Sequence, residues 1–166
     1  MMIKRLVRHL ASTGWRTRQR FPPSVLHRLA QQVAASEAQH RGQLRFVIES
    51  ALDWPAIWHR QTARQRALEW FGQLGVWDTE DNTGVLVYVL MAERKIEIIA
   101  DRGIANRVPA AAWQSICQGM QQAFAAGRFV SGLEEGMQQL HALLVQHVPN
   151  QGAKGSNELP DEIVLR

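Results

Sequence analysis

Apolar positions along the chain follow two repeats, one near 3.6 residues and one of two, and their alternation predicts an α/β order of elements. Near the amino terminus Ile3, Leu6, Val7 and Leu10 recur at helical spacing. Phe21, Pro22, Pro23 and Ser24 then punctuate the chain, and Leu26, Leu29 and Val33 mark a helix running to about His40 and closed by Gly42. From Leu44 to Ser50, Leu44, Phe46 and Ile48 alternate with Arg45, Val47 and Glu49, the pattern of a half-buried strand. Asp53 to Arg60 holds Trp54 and Trp58 one turn apart around Pro55. A short helical turn fits there, its tryptophans either capping the end of the sheet or presenting a binding surface.

Thr62 and Gln65 have the spacing of a capping box, with Ala67, Trp70, Phe71 and Leu74 on one helical face behind them and Gly75 as the stop. Val85 to Met91 is apolar at nearly every position, as in a strand covered on both faces. Ala92 to Arg94 turns the chain, and Lys95 to Ala100 alternates as an antiparallel neighbour, so Thr83 to Ala100 reads as a β-hairpin. The helix between the first two strands makes them a parallel βαβ unit. Pro109 opens a helix with Trp113, Ile116, Cys117, Met120 and Phe124 on its apolar face and Gly127 at its end. Ser131 with Glu134 predicts a second capping box, followed by Leu133, Met137, Leu140 and Leu144 as far as Val148 and Pro149. Beyond Asn150 the tail is polar and glycine-containing and ends in ELPDEIVLR, a flexible segment with a short apolar clip.

Size and composition narrow the picture. A chain of 166 residues with 46% hydrophobic and 20% charged residues suits one domain. Its longest apolar run, Val85 to Ala92, is far short of the roughly 20 residues that span a bilayer. The start, MMIKRLVRHL, lacks the continuous apolar core and small-residue cleavage site of a secretory signal, so a cytoplasmic location is expected. Cys117 stands alone on an apolar helix face, the place of a buried inert thiol.

Charge is distributed unevenly. Residues 1 to 45 carry nine Lys or Arg and the single acid Glu37, a net +8, whereas the remainder carries −4. The segment 1–20 therefore has two readings: a basic amphipathic helix on an anionic membrane surface or acidic protein, or a helix docked on its own domain. Nucleic acid is not an expected partner, because no reading helix, stacking ladder or zinc module accompanies the charge.

No phosphate loop, dinucleotide fingerprint, HExxH, CxxC or GxSxG is present. Candidate chemistry rests on topology. Parallel first and second strands place Glu37, His40, Asp78, Glu80, Asp81, Asn82 and Asp101 at the open end of the hairpin. Asp78, Glu80, Asp81 and Asp101 are the candidate metal ligands, since hard cations such as calcium take six to eight oxygens. The competing reading has Asp78 and Asp101 capping turns and pairing with Arg102 or Arg107. Glu37 and His40, three residues apart, are a weaker candidate pair. At the opposite end Glu49, Ser50 and Asp53 follow the first strand and Glu93 sits in the hairpin turn, where open sheets favour ligands. Glu49 there has Arg94 and Lys95 as possible ion-pair partners.

The run RALEWFGQLGVWDTEDNTGVLVYVLMAERKIEIIADRGI, with FAAGRFVSGLEEGMQQL after it and EAQHRGQLRFVIES before it, resembles the TPM domain family over roughly residues 22–149. The resemblance implies an α/β/α sandwich with a small mixed sheet, a βαβ crossover plus antiparallel hairpin, and two C-terminal helices. It further implies calcium binding in some members, acid phosphatase activity in a plant relative, and partner roles near membranes. Asp101, Arg102, Gly103, Ile104 and Ala105 stand where many members carry Gly-Tyr-Gly-Leu-Glu.

The expected organisation is thus a basic arm over 1–21, a TPM-like domain over 22–149 and a flexible tail over 150–166. The expected function is a non-catalytic interaction domain that binds calcium through loop carboxylates and acts with a membrane-associated protein partner, peripheral to the membrane. No organic cofactor is expected and no catalytic residue is assigned. The alternative is a metal-assisted phosphatase with Asp78 or Asp101 as nucleophile or base.

Overall fold

The apolar run after Thr83 becomes the spine of the sheet. A computed structural model describes residues 2–150, 152 and 157–166. In it β1 (Gln43–Glu49) pairs in parallel with β2 (Gly84–Leu90), and β2 pairs antiparallel with β3 (Lys95–Ala100). A two-residue β4 (Val164–Leu165) joins the free edge of β1, giving a mixed sheet in the order β3-β2-β1-β4. The expected crossover and hairpin are both present.

Helices cover both faces, so the architecture is an α/β/α sandwich. On one face α3 (Pro23–Glu37), α7 (Ala110–Ala125) and α8 (Phe129–His147) bury Leu29, Phe124 and Leu140 against Phe46, Val87 and Ile98. On the other, α4 (Trp54–Trp58) and α5 (Ala63–Gln73) bury Ile57 and Trp70 against Val47, Tyr88 and Ile99. The capping box of α5 forms as predicted: Thr62 Oγ1 accepts from Gln65 N while Gln65 Oε1 accepts from Thr62 N.

The structure corrects four local expectations. All seven residues of β1 are buried, rather than half of them. The face alternation had left to solvent is covered twice over: the C-terminal segment lies on Arg45, whose guanidinium donates to the carbonyls of Pro160 and Glu162, and α4 and α5 cover Val47 and Glu49. The predicted cap at Ser131 does not form. Gly127, at φ +78°, reverses the chain so tightly that α8 already starts at Phe129, whose ring packs edge-on against Phe124 at 5.1 Å. Trp54 and Trp58 do not cap the sheet; they are 56% and 58% exposed. Glu49 pairs with neither Lys95 nor Arg94, but with Arg66.

Of the tail, residues 151 and 153–156 lie outside the described residues. The apolar clip beyond them docks. Gln43 Oε1 accepts from Glu158 N and Leu159 N, and Ser50 N donates to Arg166 O at 2.7 Å. The amino-terminal segment forms α1 (Met2–Ala11) and α2 (Gly14–Arg20), with α1 lying against the hairpin turn. The remaining short helix, α6 (Arg102–Ala105), follows β3 directly.

Candidate functional site

The parallel register that sets Gln43 opposite Gly84 brings the loop after α3 and the loop before β2 to the same end of the sheet. β3 returns its last residue there too, and Asp101 N donates to Gly84 O at 2.9 Å. Asp101 is the N-cap of α6. Its Oδ1 accepts from Arg102 N at 2.7 Å, while its Oδ2 is buried and has no hydrogen-bond partner among the described residues. The residue as a whole is only 8% exposed.

The two loops are held together by backbone. Gly103 N donates to Asn82 O at 2.9 Å, and a Cβ at Gly103 would collide with the carbonyl oxygens of Asp81 and Asn82. Those carbonyls therefore sit next to the first turn of α6. Asp81 Oδ2 pairs with Arg41 at 2.5 Å, both side chains being partly exposed. Around this pair lies a cavity of about 250 Å³ lined by Arg41, Asp81, Thr83, Arg107, His147 and Pro149. Asp78 and Glu80 are exposed, and the Glu80 backbone is tied to the tail through Glu158 Oε2. Of the four predicted ligands, the fold thus brings Asp81 and Asp101 onto abutting loops and leaves Asp78 and Glu80 on the surface. Among the described residues no three His, Cys, Asp or Glu side chains converge as a metal-holding group.

Glu37 and His40 belong elsewhere. Glu37 Oε1 accepts from Leu44 N at 2.6 Å. Burial, opposed by that hydrogen bond and reinforced by the charge of Asp161, pushes its carboxyl up to about 8. His40 turns towards α8, where Ser36 Oγ lies 2.8 Å from both His40 Nε2 and His141 Nδ1. Burial first, and the neighbouring His141 second, depress His40 to about 4. Ser36 and His141 also line a groove of about 280 Å³ between α3 and α8.

At the carboxyl end of β1 and β2 the buried polar groups bond to one another, beside an open cavity of about 520 Å³ lined by Asp53, His59, Gln65, Arg66 and Glu69. Glu49 is 5% exposed and accepts from Arg66, Trp70 Nε1 and the Tyr88 hydroxyl, the last at 2.6 Å. Burial and the Glu49 charge raise the Tyr88 phenol well above its ordinary range. α1 crosses this end, with Arg5 and His9 both on Glu93 Oε1 and His9 Nδ1 accepting from Leu52 N at 3.0 Å. The hydrogen bond from His9, with the hydrogen bond and charge of Arg5, holds the Glu93 carboxyl down to about 2. Ser12 Oγ adds a 2.7 Å bond to Ser50 O.

The sequence profile of the TPM domain family matches residues 18–143. The chain belongs to the TPM domain family. Among solved structures, this TPM domain is similar to the BA42 protein from the psychrophilic bacterium Bizionia argentinensis, determined by NMR, at 23% identity and a TM-score of 0.74. The alignment covers 85% of this chain and 92% of BA42, and it supports the shared fold. No curated protein matches the chain. The TPM match leaves α1, the start of α2, the last turn of α8 and β4 outside it.

Sequence reading missed Arg41 and His147 around Asp81, and named Arg107 only as a pairing partner for Asp78 or Asp101. Arg41 was within reach of it, because a parallel pairing of β1 with β2 forces residue 41 to sit beside the loop at 81 and 82. His147 ends α8 and Arg107 lies in the turn after α6, and nothing in the local pattern aims the former at this cavity. The same holds for His141 beside Ser36, although the i, i+4 spacing of Ser36 and His40 was visible.

Proposed function

We propose that this TPM domain is a non-catalytic interaction domain that takes a divalent cation, calcium, at the Asp81 and Asp101 loops and acts in the cytoplasm with a membrane-associated protein partner. The observation that carries the reading is the buried Asp101 Oδ2 with no hydrogen-bond partner among the described residues. Leaving a buried acceptor unpaired costs on the order of 1–3 kcal/mol, and a cation would offset that cost. Hard cations accept carboxylate and backbone carbonyl oxygen alike. The carbonyls of Asp81 and Asn82 stand against Gly103, next to Asp101 in the same turn. Asp78 and Glu80, exposed on that loop, supply further carboxylates without having to break a buried contact. Asp81 is engaged by Arg41, so the guanidinium competes with a cation for that oxygen.

Thermal melting with and without calcium tests this. A ligand at 100 times its dissociation constant adds about 2.7 kcal/mol, which reads as a clear upward shift. The shift should vanish in Asp101→Asn and grow in Arg41→Ala. No shift in the native protein, or one that survives Asp101→Asn, removes the cation.

One observation favours the phosphatase reading. The cavity beside Asp81 is lined by two guanidiniums and an imidazole, from Arg41, Arg107 and His147, groups suited to phosphate oxygens. Hydrolysis of an aryl phosphate in the presence of calcium or magnesium, lost in both Asp101→Asn and Arg107→Ala, would establish it in place of the non-catalytic one.

A further inference from the structure

We infer that α1 and α4 together form a docking surface for an anionic lipid bilayer. The inference deepens the preceding reading, on which it rests for a role at the membrane, by naming the surface through which the domain reaches it. α1 uses one side to hold the fold: Arg5 bonds to Glu93 at 2.6 Å, His9 is buried between Glu93 and Leu52, and Leu6 packs on the core beneath. Ile3, Val7 and Leu10, at i, i+4 and i+7, fall on the other side and are 77%, 57% and 70% exposed. A helix pinned by polar bonds on its inner face thus holds three large aliphatic side chains out to solvent.

α4 extends this surface. The rings of Trp54 and Trp58 lie 5.9 Å apart, and both are more than half exposed. An apolar cavity of about 180 Å³, lined by Ile3, Leu6, Trp54, Ile57 and Trp58, joins the two helices into one patch. Contiguous apolar surface of this kind marks an interaction site, whereas scattered single residues do not.

Charge selects the occupant. Lys4 and Arg8 are exposed and flank the aliphatic stripe, Arg16 and Arg18 follow on α2, and no acid precedes Glu37. Of the carboxylates beside α4, Asp53 is engaged as its N-cap by Ala56 N, and Glu69 accepts from Gln61 and Arg66. Aliphatic and indole groups in the centre with bases at the edge match a bilayer, whose apolar layer lies beneath anionic headgroups; tryptophan favours that boundary. At ten residues α1 is about 15 Å long, half the hydrocarbon thickness, so it would lie in the plane of the surface. No helix among the described residues is long and apolar enough to cross a membrane.

The full chain is mixed with phosphatidylcholine vesicles carrying either no or about 30% phosphatidylserine, in chelator, and followed by co-sedimentation and tryptophan emission. Binding to the anionic vesicles with a blue-shifted emission is expected, reduced about tenfold or more on neutral vesicles or in about 0.5 M salt. Ile3→Ser with Val7→Ser and Leu10→Ser should remove binding without lowering the melting temperature, since those side chains are outside the core. Lys4→Glu with Arg8→Glu should do the same. Absence of binding to the anionic vesicles, or binding that ignores these substitutions, overturns the proposal. So does self-association at sedimentation equilibrium abolished by the triple serine variant, which would give the face to a second copy. Because chelator is present, a failed calcium shift leaves the vesicle result standing, and a failed vesicle assay leaves the calcium result standing.

Discussion

His9 Nε2 lies 3.0 Å from Glu93 Oε1, and this contact, with Arg5 on the same oxygen, fixes α1 over the carboxyl ends of β1 and β2. That end of an open sheet is where ligands ordinarily enter. Here the chain's own amino-terminal helix lies over it, beside an open polar cavity of about 520 Å³ lined by Asp53, Gln65, Arg66 and Glu69, and the cavity beside Asp81 lies at the opposite end.

Breaking the contact should free α1 without unfolding the sandwich. Glu93→Gln, which removes the charge facing Arg5 and His9, is expected to cost about 1–3 kcal/mol in urea unfolding. Hydrogen exchange should speed up across residues 2–11 while β2 stays protected. Uniform exchange in both segments would show that α1 is not a separable unit.

Glu49 should be far less tolerant. Its carboxylate serves Arg66, Trp70 and Tyr88 at once, so Glu49→Ala leaves a guanidinium, an indole N–H and a phenol without their acceptor. A loss of about 3–5 kcal/mol is expected, against about 1 kcal/mol for Tyr88→Phe, which removes only one donor. Chemical denaturation of the two variants makes the comparison.

Gly103→Ala tests the closeness of the two loops at the candidate site. The added methyl meets the backbone oxygens of Asp81 and Asn82, which cannot move aside as a flexible side chain would. A cost of about 1–3 kcal/mol is expected, together with loss of the calcium-induced melting shift. A variant as stable as the native protein would mean that the loops separate easily.

Glu37 and His40 give opposing pH dependences. Glu37 is raised from 4.5 to about 8, so its neutral form is favoured by folding and stability falls as pH rises from 4.5 to 8. His40 is lowered from 6.5 to about 4, so stability is lost as pH falls from 6.5 to 4. The two largely oppose each other between 4.5 and 6.5, leaving a decline due to Glu37 between 6.5 and 8. Melting across that range should show the decline in the native protein and a flatter profile in Glu37→Gln. An unchanged slope in the variant would place the proton elsewhere.

How far the residues could be read in advance depended on whether their signals were local. The Thr62–Gln65 cap, the hairpin turn and the two-faced burial of Val85 to Met91 are set by neighbours within a few positions, and each forms as read. The Ser131 cap failed because Gly127 turned the chain earlier, a competition between two local signals that spacing alone cannot rank. Glu37 and His40 were assigned to the open end by topology, correctly as regards the chain's course. Side-chain direction then took them into contacts with Leu44, Ser36 and His141.

Sequence by itself determined the order of elements, the parallel crossover, the hairpin, the TPM resemblance and the uneven charge, because periodicity, turn chemistry and composition are properties of short stretches. Tertiary structure alone decided that α1 docks on Glu93 and that Arg45 draws the C-terminal segment over β1. It also decided that Arg41 pairs with Asp81 and that Trp54 and Trp58 stay exposed beside Ile3. Each of those outcomes joins groups far apart in the chain, where contact depends on how layers pack and which buried polar atoms must be satisfied.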